Sequence, residues 1–209
     1  MDVVELRRYA LKPGRRDELI ALFEREFVQS QEECGISLLG HYRDLDDTDA
    51  FVWLRGFRNM EQRKEALEAF YLRSAAWARN RDAANATMSD SDNVLLLRPA
   101  RPHSGFGEAA ARRETLAAAS IFMLSEPATD DYISAFERAT LPRLQELAEH
   151  VAYFVTEPAA NTFTRLPVRE REWAFVVTGM CSSPEALQAW HGIFAAPEAL
   201  RLTGTSYRR

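Results

Sequence analysis

Cysteine is nearly absent: Cys34 and Cys181 are the only two in 209 residues, too few for a disulfide framework and not spaced as C-x-x-C. Histidine is scarce as well. His41, His103, His150 and His191 show no metal-ligand spacing with one another or with the cysteines, so no metal site is expected. The sequence has no G-x-S-x-G, no Walker-type glycine loop, no G-x-G-x-x-G and no H-E-x-x-H, and nothing in it calls for a bound cofactor. Lysine occurs only at Lys12 and Lys64, against 24 arginines, a bias of GC-rich bacterial genomes. The basic residues form no cluster, and the net charge of −5 divides into −3 over residues 1–100 and −2 over 101–209. A nucleic-acid partner, which needs a basic face, is therefore not expected. Nor is a membrane: the start Met1-Asp2-Val3-Val4-Glu5 carries no apolar signal segment, and a reducing cytoplasm is the expected compartment.

What is present is an ordinary globular composition, 46% hydrophobic and 27% charged, enough for one sizeable domain or two small ones. Short matches recur in the same order. Pro13 pairs with Pro127, Phe23-Glu24-Arg25 with Phe136-Glu137-Arg138, Gly56 with Gly179, and Glu65–Phe70 with Glu185–Trp190. Their offset drifts only from 113 to 123, with the difference absorbed by a longer loop over 157–171. Two modules result, 1–100 and 117–209, joined by a linker over 101–116.

In the first module Val3–Leu11 reads as a strand closed by Pro13-Gly14. A helix follows with Leu19, Ile20, Phe23 and Phe27 on one stripe and Gly35 to stop it. Strands over 36–45 and 50–57 flank a polar turn, Asn59 caps a second helix, more helix is expected over 77–86, and 93–98 is a last strand. The order βαββαβ is ferredoxin-like. The second module repeats it, with strands over 118–125, 151–157, 172–180 and near 200–207, and helices over 130–150, broken by Pro142, and from Pro184. Helices cover one face of each sheet, yet the strands are apolar on both faces. The predicted architecture is therefore α+β: two ferredoxin-like sheets packed face to face as an α/β barrel of the dimeric type, built within one chain.

Alternation along a strand fixes which side chains share a face. If Val52, Leu54 and Gly56 face the helices, then Phe51, Trp53, Arg55 and Phe57 face the barrel lumen, with Glu5, Arg7 and Tyr9 beside them. On the next strand either His41 and Arg43 or Gly40 and Tyr42 point inward. On the same choice Ala119, Ile121, Met123, Val176 and Thr178 form an apolar opposite wall. Glu5, Arg7, Tyr9, His41, Trp53, Arg55 and Phe57 are the candidate ligand-binding residues: aromatic faces for an apolar body and a few polar groups to orient it. Each has a plainer reading as well. Trp53 and Phe57 suit core packing, Glu5 with Arg7 or Arg55 a buried ion pair, and His41 a satisfied structural histidine.

The run Val4–Tyr9 leading to Lys12-Pro13-Gly14, the strand Phe51–Phe57, and Arg81–Met88 followed by Asp90–Pro99 resemble the NIPSNAP family over residues 1–100, and much more weakly over 117–209. The resemblance implies a relative of dimeric α/β barrel proteins, a superfamily that includes cofactor-independent monooxygenases, muconolactone isomerases and haem-binding chlorite dismutases. It brings no catalytic residue set. The leading expectation is a small apolar or aromatic metabolite bound in the barrel, with a metal-free monooxygenase- or isomerase-like reaction as its enzymatic form. The alternative is an interaction scaffold with a filled lumen and an apolar patch around Phe70, Tyr71 and Trp77; a third, a haem barrel, needs a histidine beside a large cavity. A homo-oligomer is also expected.

Overall fold

The computed structural model describes residues 1–106, 116–194 and 198–205. The first half contributes β1 (Val3–Leu11), β2 (Ser37–Asp44), β3 (Ala50–Phe57), the short β4 (Met88–Asp90) and β5 (Val94–Pro99). The second contributes β6 (Leu116–Leu124), β7 (Ala148–Thr156), β8 (Trp173–Cys181) and β9 (Glu198–Gly204). Pairing runs β1-β3-β2-β9-β6-β8-β7-β5 and returns to β1, an eight-stranded barrel in which every pairing is antiparallel. β4 adds only a short extension along β1. Each half keeps the ferredoxin-like strand order. The halves join where β2 meets β9, Tyr42 opposite Gly204, and where β5 meets β7, Leu97 opposite Thr156.

The helices lie outside. In the first half α1 (Arg16–Leu22) runs through a π-helical turn at Phe23–Phe27 into α2 (Val28–Glu33). Gly35 ends it with φ +85°, a left-handed conformation that glycine adopts at no steric cost. Asn59 caps α3 (Met60–Glu68) by accepting a hydrogen bond from the Gln62 N–H, and a second π turn at Ala69–Arg73 leads toward α4 (Ala75–Thr87). In the second half the helix expected over 130–150 is two pieces, α5 (Asp130–Ala139) and α6 (Leu141–Gln145). Pro142 lies in the first turn of α6, where its missing N–H costs nothing. That helix ends earlier than its apolar pattern implies: β7 already begins at Ala148, and His150, expected at a helix end, has φ +52° beside a bulge in the β7–β8 pairing. α7 (Pro184–Ile193) starts at Pro184 as expected. The linker expected over 101–116 falls largely outside the described residues, as does the end of the strand expected near 200–207.

Three apolar cores follow: one under the helices of each half and one inside the barrel. The barrel core corrects the choice of face. Val4, Leu6, Val52, Leu54, Leu95 and Leu97 point inward and meet Ala119, Ile121, Phe154 and Val176 from the second half. Eight strands enclose a space that side chains just fill. Among the described residues, a void lined by Tyr42, Leu54, Phe106 and neighbours at one end is about 20 Å³, room for about one water. Phe106 packs there, its ring 5.0 Å from that of Phe154.

Candidate functional site

Glu5, Arg7, Tyr9, Trp53, Arg55 and Phe57 do share one face, but it is the outer face of the sheet, under the helices, and not the lumen. The reason is physical. Three of the six are charged, and the helix side supplies partners for them, whereas the middle of the lumen is packed with apolar groups. Alternation along β1 and β3 was read correctly, and the strands' apolar residues on both faces left the side undetermined. On β2 a register shift between Leu38 and Gly40 puts Tyr42 in the lumen and His41 on the helix side. There the His41 ring is 5.6 Å from that of Phe23 and its Nε2 is 3.4 Å from Glu24. Burial lowers the His41 pKa and Glu24 opposes that shift.

The polar centre is Glu5. β1 and β3 set it directly opposite Arg55. Its Oε2 accepts from Arg7 Nη1 at 2.5 Å and Arg55 Nε at 2.8 Å, and its Oε1 accepts from Arg63 Nε of α3 at 2.6 Å. All four side chains are completely buried. Burial alone would raise the Glu5 pKa, but Arg55, Arg7 and Arg63 outweigh it and hold the carboxyl far below the usual carboxylate range. Arg63 is pushed down by its own burial, against the pull of Glu5. Three guanidiniums thus face a single carboxylate, the only one in salt-bridge reach of them among the described residues.

Aromatic groups surround this centre. Arg7 Nε donates to the Tyr9 hydroxyl at 2.9 Å, and Arg55 Nη1 to the Tyr71 hydroxyl at 3.2 Å. The Arg55 guanidinium lies 5.0 Å from the Trp53 ring centroid, 5.7 Å from Tyr71 and 5.7 Å from Phe57; that of Arg7 lies 5.4 Å from both Tyr9 and Trp53. At such distances the ring faces offset part of the cations' lost hydration. Burial raises the Tyr9 pKa, so its phenol stays protonated at neutral pH.

Beside this centre, between the sheet and the helices, is a cavity of about 270 Å³. Tyr9, Trp53, Phe23, Phe27, Phe70, Tyr71 and Trp77 give it aromatic walls, and Asn85, Asp92 and Arg165 stand at its exposed side. Phe23 packs edge-on to Trp53 at 5.0 Å, and Tyr71 to Trp77 at 4.8 Å. Both π turns contribute to it, Phe23 and Phe27 from one and Phe70 and Tyr71 from the other. A wider turn shifts the side chains that follow around the helix, and such turns recur at functional sites. Of the candidate residues Tyr9 and Trp53 line the cavity; Glu5, Arg7 and Arg55 stand behind that lining; Phe57 packs at the far side of Arg55, and His41 is not part of the wall. A wider open groove of about 760 Å³, lined by Met1, Asn59, Arg98, Arg101 and His103 among others, holds none of the seven. Among the described residues no group of three His, Cys, Asp or Glu side chains could hold a metal ion.

The sequence does not single out Phe23, Phe27 or Gln31 as site residues, and it suggests Phe70, Tyr71 and Trp77 only as an outward patch. Phe70 is buried, and Tyr71 and Trp77 are half-buried in the cavity wall. The signal available was the density of aromatics in 23–27 and 70–77. Nothing local could show that the second half's long loop closes the first half's cavity. Asn161 and Thr162 accept hydrogen bonds from Arg63 Nη1 at 3.1 and 3.2 Å, Phe163 packs 5.9 Å from Tyr71, and Arg165, Leu166 and Pro167 complete the wall.

Among the described residues the second half has no such site. Ala118, Ser120 and Phe122 lie on the helix side of β6, the face that Glu5, Arg7 and Tyr9 occupy on β1, while Ala119 and Ile121 face the lumen as expected. Gly179 stands opposite Ala118 as Arg55 stands opposite Glu5. Over it lies Trp190, whose Nε1 donates to Ser120 Oγ at 3.0 Å. The indole is completely buried there.

No protein of curated function matches the chain. Over nearly its whole length the chain is similar in fold to two proteins described as candidate monooxygenases. The one from Lactobacillus acidophilus NCFM has 13% identity and a TM-score of 0.56, covering 98% of this chain and 96% of its own. The one from Fusobacterium nucleatum has 10% identity and a TM-score of 0.58, covering 99% and 97%. Half of the chain is similar to an uncharacterised NIPSNAP domain protein from Burkholderia xenovorans, at 17% identity and a TM-score of 0.44, covering 48% of this chain and 96% of that one. The NIPSNAP family model matches residues 4–101, the half that holds the glutamate, the arginines and most of the cavity, and that stretch of the chain is a NIPSNAP domain.

Proposed function

We propose that the chain binds one small apolar or aromatic metabolite in the cavity between the first half's sheet and its helices. The observation that carries this is the aromatic-walled pocket of about 270 Å³, open on one side and placed against buried polar groups, a combination typical of small-molecule sites. The reading keeps the ligand class expected from sequence and moves the site out of the filled barrel. A metal-free monooxygenase- or isomerase-type reaction on the bound ligand is its catalytic form, and turnover of a bound aromatic compound in air would establish it.

The scaffold alternative shares the filled lumen, but the aromatic patch it requires faces inward, and the exposed large apolar residues Leu45, Leu72, Met123 and Tyr132 are scattered.

Native mass spectrometry tests the proposal on freshly purified protein, alone and with indole- and naphthalene-sized ligands added. One ligand per chain is expected, lost when Ala84→Phe fills the cavity and kept in the lumen variant Leu54→Ala. Binding that ignores Ala84→Phe, or no binding at all, would overturn it.

A further inference from the structure

The charges behind the cavity do not balance. Three guanidiniums, those of Arg7, Arg55 and Arg63, meet Glu5, among the described residues the one carboxylate paired with them, and all four side chains are buried. Two positive charges are left without a partner anion. The hydrogen bonds have the same polarity. The Tyr9 and Tyr71 hydroxyls accept from Arg7 and Arg55, and among the described residues neither passes its own proton to a protein acceptor. The Trp53 indole N–H, almost wholly buried, has no acceptor either. All three residues line the cavity, so its inner end presents donors backed by cations and aromatic faces.

We propose that the ligand is an organic anion, an aromatic or otherwise apolar carboxylate, whose oxygens accept from these donors while Arg7 and Arg55 behind them supply the compensating charge. The inference rests on the cavity being a ligand site and adds the chemical class. A carboxylate accepts and never donates when ionised, so it complements three donors; an amide of the same shape has one acceptor and two donors of its own and carries no charge. Hydrogen bonds passed from a guanidinium through a phenol polarise one another, so the tyrosines extend the positive field to the cavity wall.

The test compares 1-naphthoate with 1-naphthamide, and benzoate with benzamide, by calorimetric titration in low-chloride buffer, for the wild-type chain and for Tyr9→Phe. The carboxylates are expected to bind at least about tenfold more tightly than their amides, the value of a hydrogen bond to a charged group. Tyr9→Phe, which keeps the ring, is expected to erase most of that preference while changing amide binding little. Equal binding of acid and amide, both lost in Ala84→Phe, would overturn the anion and leave the cavity reading standing. A carboxylate preference untouched by Tyr9→Phe and by Ala84→Phe would place the anion elsewhere and overturn the inference. Binding of neither compound would overturn both.

Discussion

Arg63 on α3 holds Glu5 of β1 at 2.6 Å, and the same guanidinium reaches Asn161 and Thr162 of the second half's loop. One side chain thus links the sheet, the helix layer and the loop over the cavity. Because Glu5 is the one anion among these buried cations in the described residues, its removal leaves three buried guanidiniums that repel one another. Glu5→Gln should destabilise the chain by about 3–5 kcal/mol, as breaking a buried ion pair does. Urea unfolding of the two proteins measures this.

Stability should also depend on pH through Glu5. Its folded-state pKa lies well below its ordinary value of 4.5, so its contribution is present in full above that value. As the pH falls below 4.5 the unfolded chain takes up a proton that the folded chain refuses, and the contribution declines. Unfolding midpoints between pH 7 and pH 3 should fall more steeply in the wild type than in Glu5→Gln.

The lumen and the cavity should separate under mutation. Leu54 fills the barrel core, so Leu54→Ala should cost about 2–5 kcal/mol while leaving affinity for an aromatic ligand unchanged. Trp77 is half-buried in the cavity wall, and Trp77→Ala should weaken binding several-fold. Paired thermal unfolding and titration of the two variants would show the dissociation.

In the second half, tight packing replaces the site. A Cβ at Gly179 would stand 2.6 Å from the Trp190 ring and 2.9 Å from the Ala148 Cβ. Gly179→Ala should therefore destabilise by about 1–3 kcal/mol through overpacking, without effect on ligand binding. Chemical denaturation and titration check the two parts.

The fold was legible because its signals are local and repeated. β1 and β3 begin and end where their sequences say, Asn59 and Gly35 mark their helix ends, and the order of short matches implied two like halves. The α5 region was overextended because Leu144 and Leu147 continue the helical stripe past Pro142, although the chain needs β7 from Ala148 to close the barrel. For the site, period-two spacing grouped Glu5, Arg7, Tyr9, Trp53, Arg55 and Phe57 on one face. It could not say which face, because Val52 and Leu54 are as apolar as Phe51 and Trp53 and only tertiary partners decide. Arg63, Tyr71 and Asn161, which decide it, lie 58 to 156 residues from Glu5.

The central claim is that ligand binds under the helices of the first half. Its most direct test is the indole N–H region of a nitrogen-15 spectrum, where the four tryptophans report four places, during titration with 1-naphthoate. The account predicts that the Trp53 and Trp77 signals move together and saturably, while Trp173 and Trp190, the latter bonded to Ser120, stay fixed. Movement confined to Trp173 or Trp190, or to the methyl signals of Leu54 and Val176 inside the barrel, would contradict it.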